Sequence, residues 1–261
     1  SFATGVNPAR HGIHSLVQLR PGTYDLYRVD TRKVIKQPPF WEFLSKAGCS
    51  VGICDIPLSG ISQELQGMQL VEWGAHDGIY GFSAWPPGLK REVLANFGKH
   101  PLSYPCDYYS QSSKGFGYFR DLLMKGAKLK ANLTRHYLKQ GKWDFFAQVF
   151  SECHCVGHQC WHLHDTNHPG YEADRASITG DPVMDVYASV DAALGEILSQ
   201  VDENTLVIIL ASHRMSHYYG MPFLLPKILC GLQVAKPLVA GKGQAAQVSH
   251  PIDRLQHILL K

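Results

Sequence analysis

The stretch that decides the fold is Trp143-Asp-Phe-Phe-Ala-Gln-Val-Phe150, a short aromatic and apolar run that predicts a buried strand. It leads directly into Ser151-Glu-Cys-His-Cys-Val-Gly-His-Gln-Cys-Trp-His-Leu-His-Asp165, which carries four histidines, three cysteines and two carboxylates. In an open α/β sheet, ligands bind just beyond the carboxyl ends of the strands. Imidazole and carboxylate groups at such a place are typical ligands of a divalent metal. We therefore predict that this stretch is a loop supplying half of a metal site.

A second histidine-bearing segment follows another strand-like run. Residues Thr205–Ala211 are apolar along their length, as expected of a central strand in a parallel sheet, and they predict the clearest strand of the chain. The run passes straight into Ser212, His213 and Arg214. Because the carboxyl ends of parallel strands meet at one edge of a sheet, we expect the imidazoles of the two segments to converge on one cation.

Helices alternate with strands in the rest of the chain. Pro38–Gly48 has prolines at its start and a glycine at its end, which favours a helix, and Cys49–Ile56 is a short apolar strand. Further helices are predicted over Tyr118–Gln140 and after the Gly180-Asp-Pro signal. Leu16–Val29 is predicted to be a strand or a hairpin. This alternation indicates an α/β fold.

One domain is predicted to span residues 1–261. Within it, Leu58–Pro105 is rich in Gly, Pro and Trp and has weak periodicity, so we expect a cap-like insertion there rather than core strands. Helices are expected over Phe223–Leu229 and Ile252–Leu260. The chain opens on Ser1-Phe-Ala-Thr-Gly without an initiator methionine, and we therefore expect it to be truncated at the N-terminus.

Composition and charge narrow the class of protein. The formal charge of +3 is small and the basic residues are scattered, which argues against a nucleic-acid surface, and no stretch is apolar enough to span a bilayer. The seven cysteines are odd in number, and Cys49 and Cys54 fall in a predicted core strand. This pattern favours free thiols in a reducing, cytoplasmic compartment over a disulfide framework. The sequence does not indicate an oligomeric state.

With both segments in place, the sequence resembles the alkaline phosphatase superfamily, and most closely its type I phosphodiesterase / nucleotide pyrophosphatase branch. Thr4-Gly-Val-Asn-Pro-Ala-Arg-His-Gly-Ile13 is similar to the T-G-x-x-P-x-x-H-G-I element that follows the nucleophile of that family. His154-Cys-Val-Gly-His158 stands where the family has D-x-x-G-H, and Ala211-Ser-His-Arg-Met215 where it has S-D-H-G-M.

The resemblance implies both a fold and a reaction. The fold would be a doubly wound, mostly parallel sheet with helices on both faces. The reaction would be hydrolysis of a small-molecule phosphate ester by a Thr or Ser nucleophile. Two divalent ions, zinc or alternatively manganese, would stabilise the attacking and leaving oxygens. The family pattern puts the nucleophile a few residues before Ser1, so the chain as given is expected to be inactive alone.

Carried over residue by residue, the resemblance implies a set of metal ligands. His158 and His213 match family ligands, whereas His154 and Ser212 each replace an aspartate. Imidazole suits zinc, but a neutral hydroxyl is a poor ligand. Glu152 is then a candidate to restore a carboxylate nearby.

Four further residues are candidates beside this set. Arg214 replaces a glycine and would either bind a phosphate or block entry. His76 can reach the cleft from the predicted insertion together with Asp77, and His250 is a candidate for the last histidine ligand.

Three other functions stay open at this point. Ser212 and Arg214 also suit a catalytically silent binding protein on the same fold. Cys153, Cys155 and Cys160 with a neighbouring histidine would make a structural zinc module, although their spacing is unusual for one. A sulfatase or phosphomutase relative would share the fold, which alone does not identify the reaction.

Overall fold

The structure is a computed structural model, and it describes residues 1–23, 25–76, 78–102, 106, 115–171, 173–211, 214–216, 224–237 and 258–260. The helices are α1 (Pro8–His11), α2 (Thr31–Val34), α3 (Phe40–Lys46), α4 (Leu89–Asn96), α5 (Gly115–Gln140), α6 (Glu152–His164), α7 (Ala173–Thr179), α8 (Pro182–Leu198) and α9 (Leu224–Gly231). The strands are β1 (Val17–Leu19), β2 (Leu26–Arg28), β3 (Val51–Cys54), β4 (Gly67–Val71), β5 (Ser83–Trp85), β6 (Phe145–Gln148), β7 (Ala235–Pro237) and β8 (Ile258–Leu260).

A four-stranded sheet lies at the centre of the fold, in the order β5-β4-β3-β6. β3 pairs in parallel with β4 on one side and with β6 on the other, and only β5 runs antiparallel. The α/β class and the mostly parallel sheet predicted from the sequence are therefore confirmed. The predicted hairpin is also confirmed, because β1 and β2 form an antiparallel pair.

Apolar side chains alternate between the two faces of the sheet, and helices cover both faces. Trp41 of α3 packs with Val51 and Ile53 of β3 on one face. On the other face, Leu70 of β4 lies in a cluster with Leu133 of α5. A third apolar cluster joins α5, α6 and α8. Among the described residues, no helix has the length and apolar character needed to cross a membrane.

The segment between Leu58 and Pro105 contributes directly to the sheet. β4 is almost fully buried beside β3, and β5 pairs with β4. The expectation that this range holds no core strand is therefore wrong. Its weak periodicity has a physical reason, because a strand buried on both faces shows no alternation of apolar and polar residues. That part of the range also covers the site as a cap stays a prediction.

Two predicted elements differ in the structure. Residues 206–210 are not in a strand, and their side chains are between 46% and 83% exposed, from Val207 to Leu206. Within the described part of the chain their backbone forms no ladder with another strand, and an apolar run needs such a partner to become a strand. Ile258–Leu260 forms β8, where a helix was predicted; the rest of that predicted helix, residues 252–257, lies outside the described residues.

The chain divides into two compact units. The first, Ser1–Met215, contains the four-stranded sheet and all helices from α1 to α8. The second, Ser216–Lys261, contains α9 and the antiparallel pair of β7 and β8. The range of α9, Leu224–Gly231, overlaps that of the helix predicted over Phe223–Leu229.

Gly67 provides a test of the sheet register. Its φ is +131°, and a Cβ atom there would overlap the carbonyl oxygen of Val51 on the neighbouring strand. We expect Gly67→Ala to destabilise the protein by considerably more than the roughly 1–2 kcal/mol that a left-handed backbone alone costs a non-glycine residue. Gly81→Ala is the matched control, because Gly81 also has a positive φ, of +77°, but has open space around its Cβ position. Urea unfolding of both variants measures the difference; equal losses would contradict this register.

Candidate functional site

The histidine-rich stretch forms helix α6 and not the predicted loop. The helix begins one turn after the carboxyl end of β6, and successive residues rotate by about 100° around its axis. His154 and His158, four residues apart, therefore share one face, with ring centroids 4.3 Å apart. Cys155 and Gln159 share the adjacent face. The helix thus presents the predicted imidazole pair more rigidly than a loop would.

His76, in the loop after β4, joins the two histidines of α6. Its ring centroid lies 4.3 Å from that of His154 and 6.3 Å from that of His158, with the His76 and His158 rings nearly parallel. From the sequence alone, His76 was predicted only to be able to reach the cleft from the Leu58–Pro105 range. Asp77, which accompanied it there, lies outside the described residues.

Two carboxylates, of the buried Asp55 and the half-buried Glu72, fix the loop that carries His76. Asp55, directly after β3, accepts hydrogen bonds from the backbone N–H groups of Trp73 and Gly74 at 2.8 and 2.9 Å. At the other end of the loop, Glu72 accepts from the N–H groups of residues 79, 80 and 81. Each end of the loop is therefore anchored by charge-assisted hydrogen bonds, which are stronger than neutral ones.

A fully buried ion pair lies beneath the site. Lys130 Nζ of α5 is 3.1 Å from the Glu152 carboxylate at the start of α6, and neither side chain is exposed. The same ammonium donates to the carbonyl oxygen of Gly74 and to the Ser151 hydroxyl, which itself donates to Gly74. His100 Nε2 lies 3.3 Å from Glu152. This cluster joins α5, α6 and the His76 loop at one point.

The surroundings of Glu152 and Asp55 shift the pKa values of these two buried carboxyls in opposite directions. Burial alone would raise the pKa of Glu152, but the Lys130 ammonium and the neighbouring His100 outweigh burial and lower that pKa below its usual value. For Asp55, burial is the stronger effect and raises the pKa, although Lys130 and the amides of Trp73 and Gly74 oppose it. Glu152 is therefore a carboxylate in the folded protein at neutral pH.

A second group of ligand-type atoms lies against the other side of His76. Cys155 Sγ is 3.3 Å from His76 Nδ1, and Cys106 Sγ completes a group whose three atoms all lie within 4.8 Å of one another. Both cysteines are almost completely buried. Contact with the Cys106 thiol, together with burial, raises the pKa of Cys155 well above that of an ordinary thiol.

The predicted ligands fall into three classes in the structure. His154 and His158 come together as expected. Glu152, predicted to restore a carboxylate to the metal site, is instead committed to Lys130 and His100, because a buried ammonium without a counter-charge would be costly. Ser212 and His213 lie outside the described residues, as does His250.

Residues 214–216, which follow Ser212 and His213 in the sequence, are described in the structure. Arg214 is exposed. A Cβ atom at Gly157 of α6 would lie 2.7 Å from Met215 Cγ, so the Met215 side chain rests on this helix. Gly157 is on the side of α6 that flanks His154. The chain two residues after His213 thus lies against the helix that carries His154 and His158.

The cysteine trio proposed from the sequence is not the group that the structure assembles. Of Cys153, Cys155 and Cys160, only Cys155 belongs to the three-residue group with His76 and Cys106 in the described part of the chain. Cys160 is buried in the apolar cluster between α5, α6 and α8, and burial raises its pKa to about 12. The sequence could not identify Cys106, which lies 49 residues before Cys155.

Comparison with known proteins gives one match. The family model described as "Type I phosphodiesterase / nucleotide pyrophosphatase" matches residues 1–224. This match covers the sheet, α6 and the 211–215 segment. No curated protein and no solved structure matches the chain significantly.

The buried ion pair provides a test of how the site is held. We expect Glu152→Gln to destabilise the protein by about 3–5 kcal/mol near neutral pH, because Lys130 would remain as a buried charge without a counter-charge. Since Glu152 has a lowered pKa in the folded state, its stabilisation is lost as the pH falls through that pKa. The difference between the wild type and Glu152→Gln should therefore shrink in acid. Urea unfolding at several pH values measures it.

Glu196→Gln is the matched control for this prediction. It breaks the Arg135–Glu196 pair, whose atoms are 2.8 Å apart but whose side chains are 32% and 44% exposed. Such an exposed ion pair contributes under about 1 kcal/mol to the free energy of unfolding. Similar losses for the two substitutions would show that the Lys130–Glu152 pair has no special role in stability.

Proposed function

Because this chain belongs to the type I phosphodiesterase / nucleotide pyrophosphatase family, a branch of the alkaline phosphatase superfamily, we propose that it is a metal-dependent hydrolase of small phosphodiester or phosphate-monoester substrates. The family itself is one of phosphodiesterase- and pyrophosphatase-type hydrolases. The metal dependence, the substrate and the residues of the site belong to this proposal.

The observation that carries the proposal is the pair of imidazoles on α6. His154 and His158 lie side by side just beyond the carboxyl end of β6, the position at which open α/β sheets bind their ligands. Imidazole is a common ligand of zinc, and two histidines four residues apart on one helix can bind the same ion. The donor set of α6 therefore fits a zinc or manganese ion.

His213 is the ligand that we assign to the second segment. Met215 contacts Gly157 of α6, and a chain of two residues reaches at most about 7 Å. We therefore propose His213, which stands two residues before Met215 in the sequence, as a further ligand of the ion bound by His154 and His158. Ser212 stands beside it, and its hydroxyl would be a weak ligand or a hydrogen-bond partner of one.

The ion would act as a Lewis acid that stabilises the charge developing on phosphate oxygens. His154 and His158 would bind and orient it, and α6 would keep their geometry fixed through its attachment to Lys130. Arg214 is exposed at the edge of this region, where its guanidinium can pair with two oxygens of an incoming phosphate. Its role would be to bind and orient the substrate.

A second candidate function is favoured by the position of Glu152. The carboxylate nearest in sequence to the imidazole pair is used inside the protein, paired with Lys130, so it does not add negative charge to a metal site. A site built on imidazoles alone neutralises less of the charge of two divalent ions. This observation supports a catalytically silent relative that binds a phosphate compound or one metal ion without hydrolysis.

The imidazole pair can be tested in the full-length protein. We expect His154→Ala and His158→Ala each to weaken zinc binding by about 10- to 100-fold or more, since even losing the hydrogen-bond partner of a ligand costs that much. Hydrolysis of a generic aryl phosphodiester should fall in parallel. Calorimetric titration with zinc or manganese and a colorimetric assay measure the two effects.

His14→Ala is the control, because His14 is exposed and far along the chain from α6. Unchanged metal binding in both α6 variants would remove the proposal. Metal binding that depends on His154 and His158 without turnover of any phosphate ester would select the silent relative.

The contact between Gly157 and Met215 tests whether the second segment belongs to the site. An alanine normally stabilises a helix by about 1 kcal/mol relative to glycine, but the new Cβ atom at position 157 would collide with Met215. We expect Gly157→Ala to weaken zinc binding by about 10-fold, because it displaces the segment that carries His213. Adding Met215→Ala removes the collision and should restore affinity. Equal zinc affinity in all three proteins would exclude this segment from the metal site.

A further inference from the structure

We propose that His76, Cys106 and Cys155 form a second metal site, which binds one zinc-class cation through two thiolates and one imidazole. This site goes beyond the proposed hydrolase function, which assigns no role to Cys106 or Cys155 and none in binding the catalytic ion to His76. It lies on the face of α6 next to the one that carries His154 and His158.

The distances between the three ligand atoms carry the proposal. Cys155 Sγ and His76 Nδ1 are 3.3 Å apart, and with Cys106 Sγ all three atoms lie within 4.8 Å of one another. Zinc binds sulfur at about 2.3 Å and nitrogen at about 2.0–2.1 Å in tetrahedral geometry, so its ligand atoms are about 3.3–3.8 Å apart. A shift of roughly 1 Å at most, within the reach of side-chain rotation, brings the group to that geometry.

The residue types select a particular class of cation. Thiolate and imidazole ligands favour zinc and monovalent copper over magnesium or calcium, which prefer oxygen. Binding of a divalent ion converts the two thiols to thiolates and releases two protons to solvent. The resulting centre is electrically neutral, which suits a place where Cys106 and Cys155 are only 2% and 1% exposed.

The surroundings of the group resemble the support that metal ligands receive in known sites. Gln159 Nε2 lies 3.6 Å from Cys106 Sγ, in position to donate a hydrogen bond to a thiolate. Gln159 is four residues after Cys155, so the same helix face supplies a ligand and its supporting amide. The loop of His76 is anchored independently by Asp55 and Glu72.

A cation at this point would connect three separate parts of the chain. Cys155 belongs to α6, His76 to the loop after β4, and Cys106 to the segment before α5. The ion would thereby fix the His76 ring, which lies 4.3 Å from His154. The role of this ion would be structural, because it would hold the His76 ring against which His154 packs.

Cobalt substitution tests the proposal on the full-length protein in the presence of a non-thiol reductant. Titration with Co²⁺ alone should produce thiolate-to-cobalt charge-transfer absorption in the near ultraviolet, and added Zn²⁺ should abolish it. Cys106→Ser and Cys155→Ser should each reduce this absorption by half or more. His76→Gln, at a half-buried position more tolerant of change, should weaken zinc binding by about 10-fold or more.

Matched controls separate this site from the hydrolase site and from general damage to the fold. Cys153→Ser, on the same helix but outside the group, should retain the absorption, and so should His158→Ala. Thermal unfolding without metal identifies any variant that fails to fold, in which case the His76→Gln result decides.

The proposal would be overturned by an absence of charge-transfer absorption in the wild type, by absorption unchanged in Cys106→Ser and Cys155→Ser, or by a Cys106–Cys155 disulfide formed under reducing conditions. Loss of the absorption in His158→Ala but not in the cysteine variants would also overturn it. None of these outcomes bears on the proposed hydrolysis, which depends on His154 and His158.

Discussion

The ion pair between Lys130 and Glu152 is the constraint on which the rest of the site depends. A buried ammonium is tolerated only when a counter-charge and hydrogen-bond acceptors surround it, and here these come from Glu152, Ser151 and the carbonyl oxygen of Gly74. The three partners belong to the start of α6 and to the loop after β4. Satisfying one charge therefore brings the histidines of α6 and the loop of His76 to the same end of the sheet.

The position of Glu152 at the first residue of α6 also explains why the histidine-rich stretch is helical. A carboxylate in the first turn interacts favourably with the positive end of the helix dipole, and Lys130 keeps it there. Once the helix forms, residues four apart share a face, so His154 and His158 are paired while Cys155 and Gln159 face Cys106. One element thus supplies ligands of two chemical types on adjacent faces, nitrogen-rich on one and sulfur-containing on the other.

Membership of a phosphodiesterase-type family and the clustering of histidines at α6 are two separate observations. The family match rests on sequence along residues 1–224, whereas the clustering of His76, His154 and His158 rests on coordinates. The sequence departs from the family pattern at positions 154 and 212, where an imidazole and a hydroxyl stand in place of carboxylates. A metal centre with fewer carboxylates carries less negative charge. This would reduce its affinity for a second divalent ion and its ability to hydrolyse a phosphate ester.

Local signals in the sequence were enough to predict β3, α3, α5 and α8, because periodicity and end signals act within a few residues. The stretch that carries His154 and His158 was predicted to be a loop, and the structure shows that it is a helix. Prediction from the sequence failed where a distant partner decides the outcome. The run 206–210 has the composition of a strand, but no described strand lies beside it. β4 is a core strand despite the weak periodicity of its sequence. Glu152 was predicted to be a metal ligand, but in the structure it pairs with Lys130. The meeting of His76, Cys106 and Cys155 was likewise decided only by tertiary structure, because loop anchoring and helix packing bring together residues that no local pattern connects.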